Sequence, residues 1–378
     1  MINFDNAATT YPKPPEVRQA VRYAVERCGG SAGRGGHALA MLTSEKIFDV
    51  RKTAAEFFRA EPENVVFTLN CTHALNTAIK GVMKNGGHII TSALEHNSVI
   101  RPIEAMKKEG RVSYSIAKVY YDDEKTVQSF RSLINPDTKA IICTLASNVT
   151  GQILPYRRIA QLCREYNLCF IADGAQICGI IPVTLDDGIN ILCTAGHKGL
   201  YGTTGTGLLI TDGKYHIEHI MEGGTGSSSM NLEQPDFLPD SLESGTLNTV
   251  GIISLKAGIE FIKRLTPEKI YNYEEKLCRR FIKGIENIPN CIIYRSSKAG
   301  YVPIVSFNIE NVSPEETASY LNKKGFCLRA GLHCAGLAHK NIGTEEGTVR
   351  FAPSVFNNEY EVVQIVNVLK KFADTKRK

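Results

Sequence analysis

Ile189-Asn190-Ile191-Leu192-Cys193-Thr194-Ala195-Gly196-His197-Lys198-Gly199-Leu200-Tyr201-Gly202 joins an apolar run to a glycine-punctuated turn that carries one lysine. The run 189–194 reads as a buried strand. A lysine leaving such a strand between glycines has two readings. It is a solvated loop residue, or it is an amine that condenses with a ligand aldehyde, with the glycines letting the ligand lie against the backbone. The stretch alone fits both, so the case for Lys198 has to come from the rest of the chain.

Outward from this point, short apolar runs alternate with helical periodicity. Strands are expected at 65–68, 88–91, 111–117, 140–145, 168–172, 189–194 and 207–210, and helices at 15–27, 43–59, 72–83, 98–108 and 156–166. Near-continuous apolar strands between helices predict a mostly parallel sheet covered on both faces. Ligands in such sheets sit beyond the carboxyl ends of the strands. Past Val250 the texture changes to helices at 251–264, 267–287, 314–323 and 359–372, with strands only at 304–309 and 348–351. The expectation is an α/β protein with a large domain over 15–249 and a smaller α+β domain made of 1–14 and 250–378.

Composition excludes several classes. No apolar run reaches the roughly 18–20 residues that span a bilayer. Met1-Ile2-Asn3-Phe4-Asp5-Asn6 has neither the basic region nor the apolar core of a signal peptide, and a cytoplasmic protein is expected. Much of the +5 net charge sits in the C-terminal tail, at Lys370-Lys371 and Lys376-Arg377-Lys378, so no nucleic-acid surface is expected. The 11 cysteines are scattered without a Cys-x-x-Cys pair, and most lie in apolar runs as reduced core residues. No metal site is expected: His333, Cys334 and His339 lack a fourth ligand at zinc spacing. In the loop 29–37, rich in glycine, Arg34 and His37 favour contact with a ligand over a flexible linker.

The strand ends carry the chemistry. Thr68-Leu69-Asn70 runs into Cys71-Thr72-His73 at a helix start, where a hydroxyl and free N–H groups suit a phosphate, although Thr72 would serve equally as an N-cap. His96 ends another strand before a helix and is placed to stack on an aromatic ligand, or is an ordinary surface histidine. Asn148 ends a third strand with an amide. Asp173 follows the apolar run 168–172 directly and precedes Gly174-Ala175-Gln176. A carboxylate there is poorly explained as a solvated charge and well explained as the partner of a pyridinium nitrogen. Lys198 lies one strand further on. Phosphate site, aspartate and lysine together match the needs of pyridoxal 5′-phosphate.

At this point the chain resembles a class V aminotransferase of the cysteine desulfurase group. The resemblance rests on Asp5-Asn6-Ala7-Ala8-Thr9-Thr10, Cys71-Thr72-His73-Ala74-Leu75-Asn76, Glu95-His96-Asn97, Ser147-Asn148-Val149-Thr150-Gly151, Asp173-Gly174-Ala175-Gln176, Gly196-His197-Lys198, Glu243-Ser244-Gly245-Thr246, Arg329-Ala330-Gly331-Leu332-His333-Cys334-Ala335 and Val349-Arg350-Phe351-Ala352, in the family's order. It implies the fold of a type I pyridoxal-phosphate enzyme and the following roles. Lys198 joins the cofactor covalently, His96 stacks on its ring, Asp173 meets the ring nitrogen, and Gln176 bonds the ring hydroxyl oxygen, with Asn148 near that oxygen and the substrate carboxylate. Cys71, Thr72 and His197 belong to the cofactor site. Thr246 reaches the phosphate of a neighbouring subunit, which requires a homodimer. Arg350 grips the substrate carboxylate, with Ala8 and Arg329 beside the substrate. Ala195 stands where many relatives carry a phosphate-binding serine.

Cys334 directs the resemblance toward sulfur. Its short loop is similar to that of the second desulfurase group. There, a thiolate takes sulfur from L-cysteine, leaving alanine and a persulfide, and Arg329 and His333 are expected to favour the thiolate. The alternatives are a selenocysteine lyase, another class V transamination or β-elimination, and a cofactor-binding scaffold without turnover. The group also implies a separate sulfur-acceptor protein.

Overall fold

A computed structural model describes residues 1–33, 35–227 and 230–376. Arg34, Arg377 and Lys378, which figured in the sequence reading, lie outside the described residues. The order begins with β1 (Ile2–Asn3), α1 (Pro15–Arg27), α2 (Ala38–Phe58), β2 (Val65–Thr68), α3 (Cys71–Val82), β3 (Gly87–Ser92), α4 (Asn97–Lys108) and β4 (Val112–Ala117). Then come α5 (Asp123–Arg131), β5 (Thr138–Thr144), α6 (Tyr156–Glu165), β6 (Cys169–Asp173), β7 (Ile191–Ala195) and β8 (Gly207–Thr211). The remainder is α7 (Thr249–Leu265), α8 (Pro267–Ile285), β9 (Cys291–Ile293), β10 (Val305–Ile309), α9 (Pro314–Lys323), β11 (Phe326–Cys327), β12 (Arg329–Gly331), α10 (Gly336–Ile342), β13 (Thr348–Phe351) and α11 (Glu359–Lys376).

Strands β2-β8-β7-β6-β5-β3-β4 form one sheet in that spatial order. Side chains alternate across it. On β5, Ile141 and Cys143 enter the core on one face, while Ala140 and Ile142 enter the core on the other. Both faces being covered explains why the strands read as unbroken apolar runs. Pairing is parallel from β4 through β7, and β8 alone is reversed, antiparallel to both β7 and β2. The connection 196–206 contains no helix, and a parallel return needs a longer crossover, usually helical. The lysine turn is therefore a hairpin-like connection at the carboxyl end of β7.

A second, antiparallel sheet runs β12-β13-β10-β9. Its core stacks Phe281 on Phe351, with ring centroids 4.0 Å apart, and includes Phe4 from the N-terminal segment. β1 pairs with β11 in parallel, so the first residues of the chain belong to this layer. Helix α7 packs against α1 and α2, and its Ile252, Leu255, Ile259 and Ile262 share a core with the larger sheet.

Helix α2 begins five residues before the expected Thr43, because the His37 ring accepts the Ala40 N–H and caps it. Helix α5 escaped the sequence reading because its surface is mostly charged and only Thr126, Val127 and Phe130 are buried.

Candidate active site

A cavity of about 190 Å³ lies at the carboxyl ends of the parallel strands. Its walls are built from the turns after β2, β3, β5, β6 and β7, and they include Cys71, Thr72, His96, Asn148, Asp173, Gln176, Ala195, His197 and Lys198. The strand-end residues singled out from the sequence thus meet around one space.

Asp173 is the last residue of β6 and is 4% exposed. Its Oδ1 accepts the Ala175 N–H at 2.9 Å and the Cys71 thiol at 3.5 Å. Among the described residues no cation forms an ion pair with it, and it lines the cavity. The Cys71 thiol, pushed well up by burial and by Asp173, stays protonated and donates.

Lys198 follows β7. Burial of its amine lowers its pKa, while Asp173 and Cys71 pull in the opposite direction. A lowered pKa raises the fraction of free amine, the nucleophilic form. The flanking glycines have a different cause from the one the sequence suggested. A Cβ on Gly196 would stand 2.3 Å from Thr206 Oγ1, and one on Gly199 would stand 2.3 Å from the Cys178 carbonyl. They are small because protein packs against them. The turn is also tied down from the N-terminal segment, where Thr9, Thr10 and Lys13 all donate to the His197 carbonyl.

His96 caps α4. Its Nδ1 accepts the Ser98 N–H at 3.1 Å and lies 2.8 Å from Ser98 Oγ, which in turn is 2.7 Å from Thr72 Oγ1. The ring is therefore neutral at Nδ1, and burial lowers its pKa. Ser98, which the sequence reading passed over, links the helix starts of α3 and α4. Asn97-Ser98-Val99-Ile100 after the strand-end histidine carries no distinctive motif.

Two buried polar atoms on this cavity have no protein partner: Asn148 Oδ1 and His197 Nδ1. Buried polar atoms are normally satisfied, so both point to a ligand. The donor set fits pyridoxal phosphate. Thr72, His197 and the start of α3 suit the phosphate, Asp173 the ring nitrogen, His96 the ring face, and Lys198 the aldehyde. The Gln176 amide donates to the Ala7 carbonyl at 3.1 Å, which fixes the side chain at the cavity wall.

Arg350, on β13, is 1% exposed. Its Nη1 donates to the Asn148 carbonyl at 2.8 Å, its Nη2 donates to Asp5 Oδ1 at 2.9 Å, and its Nε has no partner. Asp5 was legible only as part of a motif. Ala8 lies close by, its N–H donating to the Asp5 carbonyl. Arg329 stands directly opposite Arg350 across β12 and β13.

Cys334 is exposed, on a loop where Gly331, His333 and Cys334 all have positive φ. Non-glycine residues adopt this conformation at a cost and need surrounding contacts to hold it. Those contacts are present. The Asn97 N–H at the start of α4 donates to the Cys334 carbonyl at 2.8 Å, and Asn148 Nδ2 donates to the His333 carbonyl at 2.7 Å. Arg329 Nη2 lies 3.6 Å from the Cys334 sulfur. Cys334 borders a groove that shares Thr72, His96 and Ser98 with the Lys198 cavity. His333 does not play the part expected of it. It is buried, its Nε2 sits 3.0 Å from the Thr348 carbonyl, and burial followed by the Arg350 charge pushes its pKa down to about 2. It is neutral and lends Cys334 no positive charge. Thr246 is exposed and lines a different pocket, with Thr68, His73 and Glu243.

The fold and the cavity define a pyridoxal-phosphate enzyme of fold type I. The family profile described as Aminotransferase class-V matches residues 2–365, and the chain belongs to that family, whose members use pyridoxal phosphate. A probable cysteine desulfurase of Methanothermobacter thermautotrophicus is 28% identical, over 97% of this chain and 94% of that protein. Another, from Pyrococcus abyssi, is 28% identical over 100% and 95%. The apo structure of a cysteine desulfurase from Thermococcus onnurineus NA1 superposes with a TM-score of 0.90 at 26% identity, covering 99% of this chain and 95% of that one.

Proposed function

We propose that the protein is an L-cysteine desulfurase that uses pyridoxal phosphate. The observation that carries the reading is the position of Cys334, an exposed thiol on a pinned loop whose groove opens onto the Lys198 cavity. When bound, the cofactor's protonated ring withdraws electrons from the bonds at the substrate α-carbon, and Asp173 keeps the ring nitrogen charged. Lys198 holds the cofactor and carries protons at the α-carbon. Arg350 grips the α-carboxylate, with Asn148, Ala8 and Arg329 at its side. The Cys334 thiolate attacks the substrate sulfur. An S–S bond forms, the C–S bond breaks, and a proton passes to the β-carbon. The net change is enzyme thiol plus L-cysteine giving enzyme persulfide plus L-alanine.

The 11 cysteines in the described residues are all free, which suits a reducing compartment, the cytoplasm. Among the described residues no helix is long and apolar enough to cross a membrane. The exposed Thr246, away from its own chain's cavity, suits a homodimer in which it serves the other copy's phosphate. The exposed Cys334 suits hand-over of sulfur to a separate protein. We retain the division into a large unit and a smaller one containing 1–14. The α7 packing favours grouping that helix with the large unit.

Incubation with L-cysteine, followed by mass spectrometry of the intact protein, should find one added sulfur atom on Cys334 and an equivalent of alanine in solution. Cys334→Ser should give neither. Persistence of alanine release in that variant would reject the nucleophile. A keto acid in place of alanine would favour transamination. Selenocysteine turned over by Cys334→Ser, with cysteine refused, would favour a selenocysteine lyase.

A further inference from the structure

The carboxylate grip contains more charge than a simple guanidinium fork. Arg350 is almost wholly buried, and Arg329 lies directly across the strand pair from it, so two neighbouring cations lie within electrostatic reach of Lys198. Among the described residues, the one carboxylate that forms an ion pair with either of them is Asp5, 2.9 Å from Arg350 Nη2. That aspartate is held from behind. Its neighbours Phe4 and Asn6 exchange backbone hydrogen bonds with Ala352, two residues beyond Arg350, and its own carbonyl accepts from Ala8. Asp5 thus reaches Arg350 from a segment pinned to the same strand end. It takes one nitrogen of the fork and leaves the adjacent Nε buried and without a partner.

Resting on the reading of Arg350 as the substrate's carboxylate partner, we propose that Asp5 is a resident counter-ion that the incoming α-carboxylate meets on the same guanidinium, so that Asp5 weakens amino-acid binding and thereby sets substrate affinity and product release. An arginine edge takes two carboxylate oxygens when it binds a free carboxylate. Here one donor of the edge is already occupied. The substrate shares or displaces it, and places two negative charges on one cation. In exchange, the empty enzyme avoids a buried arginine with no counter-charge, a state that costs far more than a satisfied pair. The arrangement makes Asp5 a positioning residue with a sign that can be read. It holds the fork in place and opposes the ligand at the same time.

The experiment separates these roles. Asp5→Asn keeps an oxygen that accepts from Nη2 and removes the charge. Holoenzyme of wild type and variant is titrated with L-alanine and with ethylamine, the same amine without the carboxylate, each read by the change in cofactor absorbance. L-Alanine should bind roughly tenfold more tightly to the variant, the scale of one charge–charge contact in a partly solvated site. Ethylamine should bind equally to both, which also confirms that the variant is folded and loaded. The KM for L-cysteine should fall with the L-alanine constant. Weaker or unchanged L-alanine binding overturns the proposal, as does a parallel shift for both ligands, which would mark a merely structural role. A wild type that releases no alanine from L-cysteine would reject the desulfurase reading instead, because the two binding titrations need no turnover.

Discussion

Lys198 draws its chemistry from a single balance. Burial favours its neutral amine, while Asp173 and Cys71 oppose that shift without cancelling it. Lys198→Ala removes the only amine lining the cavity among the described residues. The variant should keep its fold but lose the visible absorbance of covalently held cofactor, and lose turnover by several orders of magnitude, measured as alanine release. At this scale much of the site could be read from the sequence, for a physical reason. Asp173 and Lys198 follow unbroken apolar strands, and a charge at such a place has no cheap explanation. Asp5 and Ser98 could not be read in the same way, because their partners Arg350 and Thr72 are distant in the chain, and neither has an unusual local setting. The charge of His333 was misjudged because sequence carries no record of burial.

Elements hold these residues in place. The Cys334 loop returns through Gly347, where a Cβ would stand 2.7 Å from the backbone of Gly331 and where φ is +100°. Gly347→Ala should cost about 1–3 kcal/mol in denaturant unfolding, and it should lower alanine release more than the loss of folded protein explains. Helix α8 carries a second consequence of burial. Glu274 is 3% exposed, its carboxyl accepts from the Tyr201 hydroxyl at 3.3 Å, and burial raises its pKa to about 8. A carboxyl whose pKa is raised on folding keeps its proton in the native state while the unfolded chain has lost it. Its contribution to stability is therefore greatest at low pH and falls as pH rises from the ordinary carboxyl range toward about 8. Glu95, buried and raised to about 8, acts in the same direction. Glu274→Gln should flatten the pH dependence of unfolding free energy between about pH 5 and pH 8, by up to roughly 1.4 kcal/mol per pH unit. An unchanged slope would mean that Glu274 is ionised in the native protein. Helices with strong apolar periodicity, such as α6 and α8, could be read from sequence nearly to the residue. The strands β9, β11 and β12 could not, because two or three residues carry no period, and their pairing is decided by tertiary contacts.

In the whole molecule, the N-terminal segment joins parts that lie far apart in the chain. Phe4 is fully buried between Phe326 and Phe351, while Thr9, Thr10 and Lys13, a few residues on, clasp the lysine turn. Phe4→Ala should cost about 3–5 kcal/mol in chemical denaturation, and it should loosen cofactor binding through the connected turn. The direction of β8 was the one departure from a fully parallel sheet, and its cause, a connection too short for a crossover, is visible in the sequence once the strand ends are known. Helix α4 joins the cavity to the Cys334 loop. Its first residues hold both the ring of His96 at the cavity wall and the carbonyl of Cys334. The separation between the Cys334 loop and the cavity is therefore gauged by the tip of one helix. Asn97 and Ser98 thus register the exposed thiol loop against the cavity wall, and that spacing cannot change without breaking one of the two bonds.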